Sequence, residues 1–155
     1  MAELFFDWRF CGKCFGLFWD AEQGKGHCTE GGGHEAVGLN FFLQDAQLLG
    51  DYVTVGPSGS VVAQDNWRIC SDCRGLYYDG FDDNGSCPAG GGHASGSPNY
   101  GLWVLWPPTG SSYQSEWRWC RHCYAMFFGG FEKQGSCPTG GAHDKSESFN
   151  YALEH

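Results

Sequence analysis

Trp8-Arg9-Phe10-Cys11-Gly12-Lys13-Cys14 returns as Trp67-Arg68-Ile69-Cys70-Ser71-Asp72-Cys73 and again as Trp117-Arg118-Trp119-Cys120-Arg121-His122-Cys123. Around these anchors the similarity runs on. Leu17-Phe18-Trp19, Leu76-Tyr77-Tyr78 and Met126-Phe127-Phe128 follow the paired cysteines, then Gly26-His27-Cys28, Gly85-Ser86-Cys87 and Gly135-Ser136-Cys137. A glycine-rich run closes on His34, His93 or His143, and Asn40-Phe41, Asn99-Tyr100 or Asn150-Tyr151 ends each copy. The chain is therefore read as repeats over 1–59, 60–109 and 110–155. The offsets of 59 and 50 residues differ only after Leu43, which places the extra length in a surface connection.

In every copy the pattern is Cys-x2-Cys-x13-Cys-x5-His: Cys11, Cys14, Cys28, His34; Cys70, Cys73, Cys87, His93; Cys120, Cys123, Cys137, His143. Zinc takes four soft or borderline donors in a tetrahedron, and a Cys-x-x-Cys turn supplies two of them to one ion. Four protein donors leave no open position, so three structural Zn²⁺ are expected and no catalytic metal. Disulfides fit poorly, because three thiols per copy cannot pair and nine leave one over. Iron clusters ordinarily take four cysteines.

Short aromatic and β-branched runs between Gly, Pro, Asn and Asp predict an all-β chain of about twelve short strands, four per copy. Tyr52-Val53-Thr54-Val55 and Leu102-Trp103-Val104-Leu105-Trp106 are included, and a weak helical turn is read near residues 44–49. Alternation along Trp-Arg-x-Cys turns Trp8, Trp67 and Trp117 toward a core. Arg9, Arg68 and Arg118 then lie on the cysteine side, where they either offset thiolate charge or sit on a solvated edge. Units of this size need a metal to fold, and they either close about a shared three-fold axis or stay as tandem zinc-ribbon-like units. Apolar connecting segments favour closure, since flexible linkers are Gly/Ser-rich.

Charge narrows the partners. The chain carries a formal −9, and about −12 once nine thiolates hold three Zn²⁺, which disfavours nucleic acid. No apolar run is long enough for a membrane-spanning helix. Residues 1–7 have no signal-peptide pattern, leaving a cytoplasmic location or secretion by another route. Leu153-Glu154-His155 looks like a histidine-tag stub, so Glu154 and His155 carry no functional argument. His27 and His122, unmatched in the other copies, are read as surface residues. With every cysteine committed and no nucleophile elbow, no enzyme is expected.

Three copies of about 50 residues with four strands apiece resemble the β-trefoil of ricin-type and other lectins, with Gln64-x-x-Trp67 and Gln114-x-x-Trp117 similar to the Gln-x-Trp of that family. The spacing is one residue longer, the first copy has Phe5 in place of Gln, and the metal ligands are not part of the ricin-type pattern. The resemblance implies a multivalent carbohydrate-binding protein whose partner is a glycan or glycoprotein. Its candidate sugar contacts are Trp19 with Asp20, Tyr78 with Asp79, Phe128, and Asn40, Asn99 and Asn150, while Gly129 replaces the aspartate in the third copy. A protein-interaction or scaffold module is the alternative reading, and a toxin-like or membrane-directed protein a third.

Overall fold

The computed structural model describes residues 7–20, 25–45, 63–96, 99–104 and 113–155. Ten strands form among them and no helix. Repeat one contributes β1 (Trp8–Cys11), β2 (Leu17–Trp19), β3 (Ala36–Phe41) and β4 (Gln44–Asp45). Repeat two contributes β5 (Ala63–Ile69), β6 (Leu76–Tyr78) and β7 (Tyr100–Val104), and repeat three β8 (Tyr113–Trp119), β9 (Met126–Phe128) and β10 (Tyr151–Glu154). Gln44-Asp45 is thus strand where the sequence suggested the start of a helical turn. Phe5 and residues 46–49, 52–55 and 105–106 lie outside the described residues.

The same local pairing is built three times. Each Trp-Arg-x-Cys strand forms a hairpin with the strand after it in one register, Trp8 opposite Trp19, Trp67 opposite Tyr78 and Trp117 opposite Phe128. On its other edge lies the closing strand, with Trp8 opposite Phe41, Trp67 opposite Tyr100 and Trp117 opposite Tyr151, and a register shift interrupts each of these ladders. The residue just before each tryptophan, Asp7, Asn66 or Glu116, sits at φ near +70° (68°, 71° and 74°). A side chain rarely adopts this left-handed region unaided. Its backbone N–H donates to the side-chain oxygen of Asn40, Asn99 or Asn150 at 2.9, 2.7 and 2.7 Å.

Two ends join the repeats. At one, the closing strands meet: β7 pairs with both β4 and β10, and the Phe42 N–H donates to the Glu154 carbonyl at 2.9 Å. The sheets that result are β2-β1-β3 and a seven-stranded sheet running β6-β5-β7-β10-β8-β9, with β4 beside β7. At the other end the hairpins meet in a ring. The N–H groups of Trp19, Tyr78 and Phe128 donate to the carbonyls of Arg74, Tyr124 and Phe15, so repeat one binds two, two binds three and three binds one.

The core obeys the same cyclic order. Trp8, Trp67 and Trp117 are fully buried, and each meets edge-to-face the aromatic residue ending the next repeat: Tyr100 at 5.4 Å, Tyr151 at 5.2 Å and Phe41 at 5.3 Å. One apolar cluster contains these rings with Leu17, Leu76 and Met126, where independent units would each carry their own core. The hairpin's second strand is buried on both faces, which is why Leu17–Trp19 reads as a continuous apolar run. Leu17 and Trp19 enter the shared core, and Phe18 turns to the cysteine side.

Replacing Trp67 by Ala should cost about 3–5 kcal/mol, the range for deleting a buried aromatic. Urea unfolding of the zinc-loaded variant checks this, and the loss should appear in one transition covering all repeats, because the deleted ring packs across a repeat boundary.

Candidate metal centres

Three buried Cys3His groups gather the ligands predicted from the spacing, with the four donor atoms of each group all within 4.8 Å of one another. Sulfurs of Cys11 and Cys28 are 3.8 Å apart, of Cys70 and Cys87 3.7 Å, and of Cys120 and Cys137 3.9 Å. Sulfur–Nδ1 distances are 3.6 Å for Cys14–His34, 3.7 Å for Cys73–His93 and 3.5 Å for Cys123–His143. A tetrahedron with zinc–sulfur bonds of ~2.3 Å and a zinc–nitrogen bond of ~2.0–2.1 Å has edges of about 3.8 and 3.6 Å. The cages therefore fit Zn²⁺ closely. All nine cysteines are free thiols, too far apart for disulfide bonds. Three structural zinc ions are the cofactors of this chain, and four protein donors around each leave no place for a substrate.

Local structure holds each cage. After the second cysteine the chain turns through a left-handed residue, Phe15, Arg74 or Tyr124, at φ 71°, 68° and 70°. Backbone N–H groups reach sulfur from the Cys-x-x-Cys turn and from the residue after each histidine: Cys14 and Glu35 donate to Cys11 at 3.5 and 3.4 Å, and Cys73 and Ala94 to Cys70 at 3.4 and 3.3 Å. Such donors stabilise thiolate charge without a side-chain cation. Two of the arginines serve other bonds. Arg9 donates to the carbonyls of Leu39 and Gly38, and Arg118 pairs with Glu116 at 3.2 Å.

Each histidine ring is fixed on three sides. Its Nδ1 faces the sulfurs, and one face stacks on Phe18, Tyr77 or Phe127 at 4.7, 4.5 and 4.6 Å. Its Nε2 points at a carbonyl of the next repeat, His34 to Cys73 at 3.0 Å, His93 to Cys123 at 2.9 Å and His143 to Cys14 at 3.1 Å. A carbonyl only accepts, so Nε2 carries the hydrogen and Nδ1 is left with its lone pair for the metal. The accepting residue is itself a ligand of the neighbouring ion. Three metal sites thus form a closed ring of contacts.

The donors of each cage act strongly on one another. Hydrogen bonds from Cys14 lower Cys11 to about 3 and Cys28 to about 7, while Cys14, tied to Cys11 and Cys28 and buried, is pushed up. Cys73 and Cys123 are pushed up in the same way. Burial alone would disfavour a charged His93 or His143, but Cys70 and Cys87, or Cys120 and Cys137, outweigh it and raise both imidazoles to about 9. Ligation requires deprotonated thiols and a neutral imidazole, so zinc affinity falls with falling pH.

Other sequence candidates lie apart from the cages. Trp19 is in the shared core, and Asp20 pairs with Lys25 and lies 3.8 Å from Arg9. Asp79 donates its N–H to the Asn66 carbonyl at 2.7 Å, and Asn40, Asn99 and Asn150 hold the left-handed residues described above. His27 is exposed, as is His122, 3.5 Å from Asp144. Tyr78 and Phe128 come nearest to a surface site, each lining a cleft at a repeat junction.

The clefts bring in residues that spacing did not single out. Between repeats two and three, Phe81 meets Tyr78 at 5.3 Å, Trp119 at 5.8 Å and Tyr124 at 5.4 Å. Between repeats three and one, Phe131 meets the equivalent Phe128, Phe10 and Phe15 at 5.0, 6.1 and 5.7 Å. Phe81 and Phe131 are 50% and 54% exposed, an uncommon cost for two rings at matching positions. Gln64 and Gln114 form the cleft walls, each accepting the indole N–H of its own repeat's tryptophan, at 3.1 and 2.8 Å. The signal was an aromatic three residues beyond Tyr78 and Phe128, with Glu22 at that place in repeat one. Compared with family models, curated proteins and solved structures, the chain matches none.

Two outcomes are expected. Cys70→Ser should unfold at least the middle repeat and lower the zinc content below three per chain, read by metal analysis and circular dichroism. Gly85→Ala should destabilise by at least ~1 kcal/mol, since Gly85 has φ 71° and an added Cβ would lie 2.4 Å from the Cys123 carbonyl that accepts from His93. Thermal melts at fixed zinc concentration measure the second.

Proposed function

We propose that this is a zinc-stabilised, lectin-like carbohydrate-binding protein of β-trefoil-like architecture, a binding module and not an enzyme. One observation carries the reading: the clefts at repeat junctions combine half-exposed aromatic rings with a fixed glutamine amide, most fully between repeats two and three, where Glu147 and Ser148 add polar groups. Sugars are held by this combination, an apolar ring against the C–H face and hydrogen-bonding groups against the hydroxyls. The cyclic contacts between repeats support the trefoil-like reading, and commitment of every cysteine to a cage supports the absence of a nucleophile. The net charge of −9 disfavours phosphate-rich partners.

A protein-interaction module is the second reading, favoured by the exposed Val37, Leu39 and Phe131 beside one another in the cleft between repeats three and one. Such side chains are enriched at interface centres when aromatic.

A glycan array probed with zinc-loaded protein separates the two. Binding to a defined subset of glycans, lost after chelation, is the expected result, and a blank array would sink the carbohydrate reading.

A further inference from the structure

The two clefts share a frame of rings and one glutamine but differ in other groups around it. Between repeats two and three the wall carries Trp119, Glu147 and Ser148, in a cleft of about 160 Å³. At the matching places between repeats three and one stand Phe10, Val37 and Gly38, in a cleft of about 270 Å³. Each replacement removes a polar group: an indole N–H, a carboxylate, a hydroxyl.

Unused hydrogen-bonding capacity collects in the first cleft. Gln64 Oε1 accepts from both Trp67 Nε1 and the Tyr151 hydroxyl, so its orientation is set and its amide N–H groups have no partner among the described residues. The Trp119 indole N–H is buried and also without one among the described residues. Buried donors left unfilled are rare in folded proteins and call for a ligand or an ordered water. The Glu147 carboxylate on the rim is 66% exposed and 3.8 Å from Arg121, available as an acceptor.

We propose that the cleft between repeats two and three is the sugar site, that it takes a neutral hexose unit, and that the cleft between repeats three and one does not bind sugar. This rests on the carbohydrate reading above and specifies its site and ligand class. Phe81 stacks under the C–H face of the sugar. Gln64 donates its amide N–H to one hydroxyl or ring oxygen, and Glu147 accepts from others. A carboxylated or sulfated sugar would meet the carboxylate of Glu147 and a chain of net charge −9, which selects for neutral rings. In the other cleft Gln114 is the one polar wall among the described residues, so sugar hydroxyls entering it would give up water with few new partners.

Titration calorimetry of the zinc-loaded chain with lactose, mannotriose, chitotriose and sialyllactose tests the assignment, together with Phe81→Ala, Glu147→Gln and Phe131→Ala. Phe81 and Phe131 are both half exposed, and melts of each variant verify the fold. At least one neutral sugar should bind with one site per chain. Phe81→Ala should weaken it at least tenfold and Glu147→Gln several-fold, with Phe131→Ala within twofold of the parent. Loss on Phe131→Ala with retention on Phe81→Ala, two equal sites, or preference for sialyllactose would each overturn the site or its ligand class while leaving the carbohydrate reading intact. Failure of the parent to bind any of the four, with a blank glycan array, would overturn both.

Discussion

A single imidazole does two things at once in this molecule, and the architecture depends on it. Nδ1 completes a metal cage in its own repeat while Nε2–H donates to the carbonyl of a cysteine that ligates the next ion, from His34 to Cys73, His93 to Cys123 and His143 to Cys14. Metal binding fixes the ring, the ring fixes the neighbouring turn, and that turn positions a sulfur. Because the order closes on itself, no repeat has a free end. A tandem array of the same units would leave one histidine and one cysteine turn without each other.

Closure explains where the strain is placed. Left-handed non-glycine residues recur at two positions per repeat, beside the metal turn and before each tryptophan, and such conformations cost of order 1–3 kcal/mol apiece unless the surroundings enforce them. Metal, with its backbone N–H···S bonds, enforces the first set, and the paired asparagines enforce the second. Between these fixed points the chain needs only short strands. The interlocked tryptophans and closing-strand aromatics fill the space enclosed. Metal at the periphery and aromatic packing at the centre stabilise the same set of contacts between repeats.

Cysteine spacing made the ligand set legible from sequence, because a tetrahedral cage admits few arrangements of donors and the same one appears three times. Fold class was legible for a related reason, since short aromatic runs between glycine turns suit strands and nothing else. What stayed hidden was long-range. Arg9, Arg68 and Arg118 alternate onto the cysteine side, yet strand alternation could not reveal that backbone N–H groups already reach the sulfurs or that Arg9 is drawn to the carbonyls of β3. By sequence, Asn40, Asn99 and Asn150 are candidate sugar contacts. Their bonds run 33 or 34 residues back along the chain, to backbone whose φ no sequence pattern announces. Phe81 and Phe131 stand at matching positions but acquire meaning only when the ring of repeats sets them against the next unit. Of about twelve strands expected, ten form among the described residues.

The central claim is that three ions lock three repeats into one cooperative ring. Native mass spectrometry during stepwise chelation, with hydrogen exchange followed in parallel, addresses it most directly. The account predicts a fully loaded species with three zinc ions whose first loss raises exchange in the neighbouring repeats as well as its own, so that partly loaded forms are scarce and the metal-free chain is unfolded with all its thiols reactive. Independent loss of each ion, confined to its own repeat, or a chain that keeps its protection after the metal is gone, would contradict it.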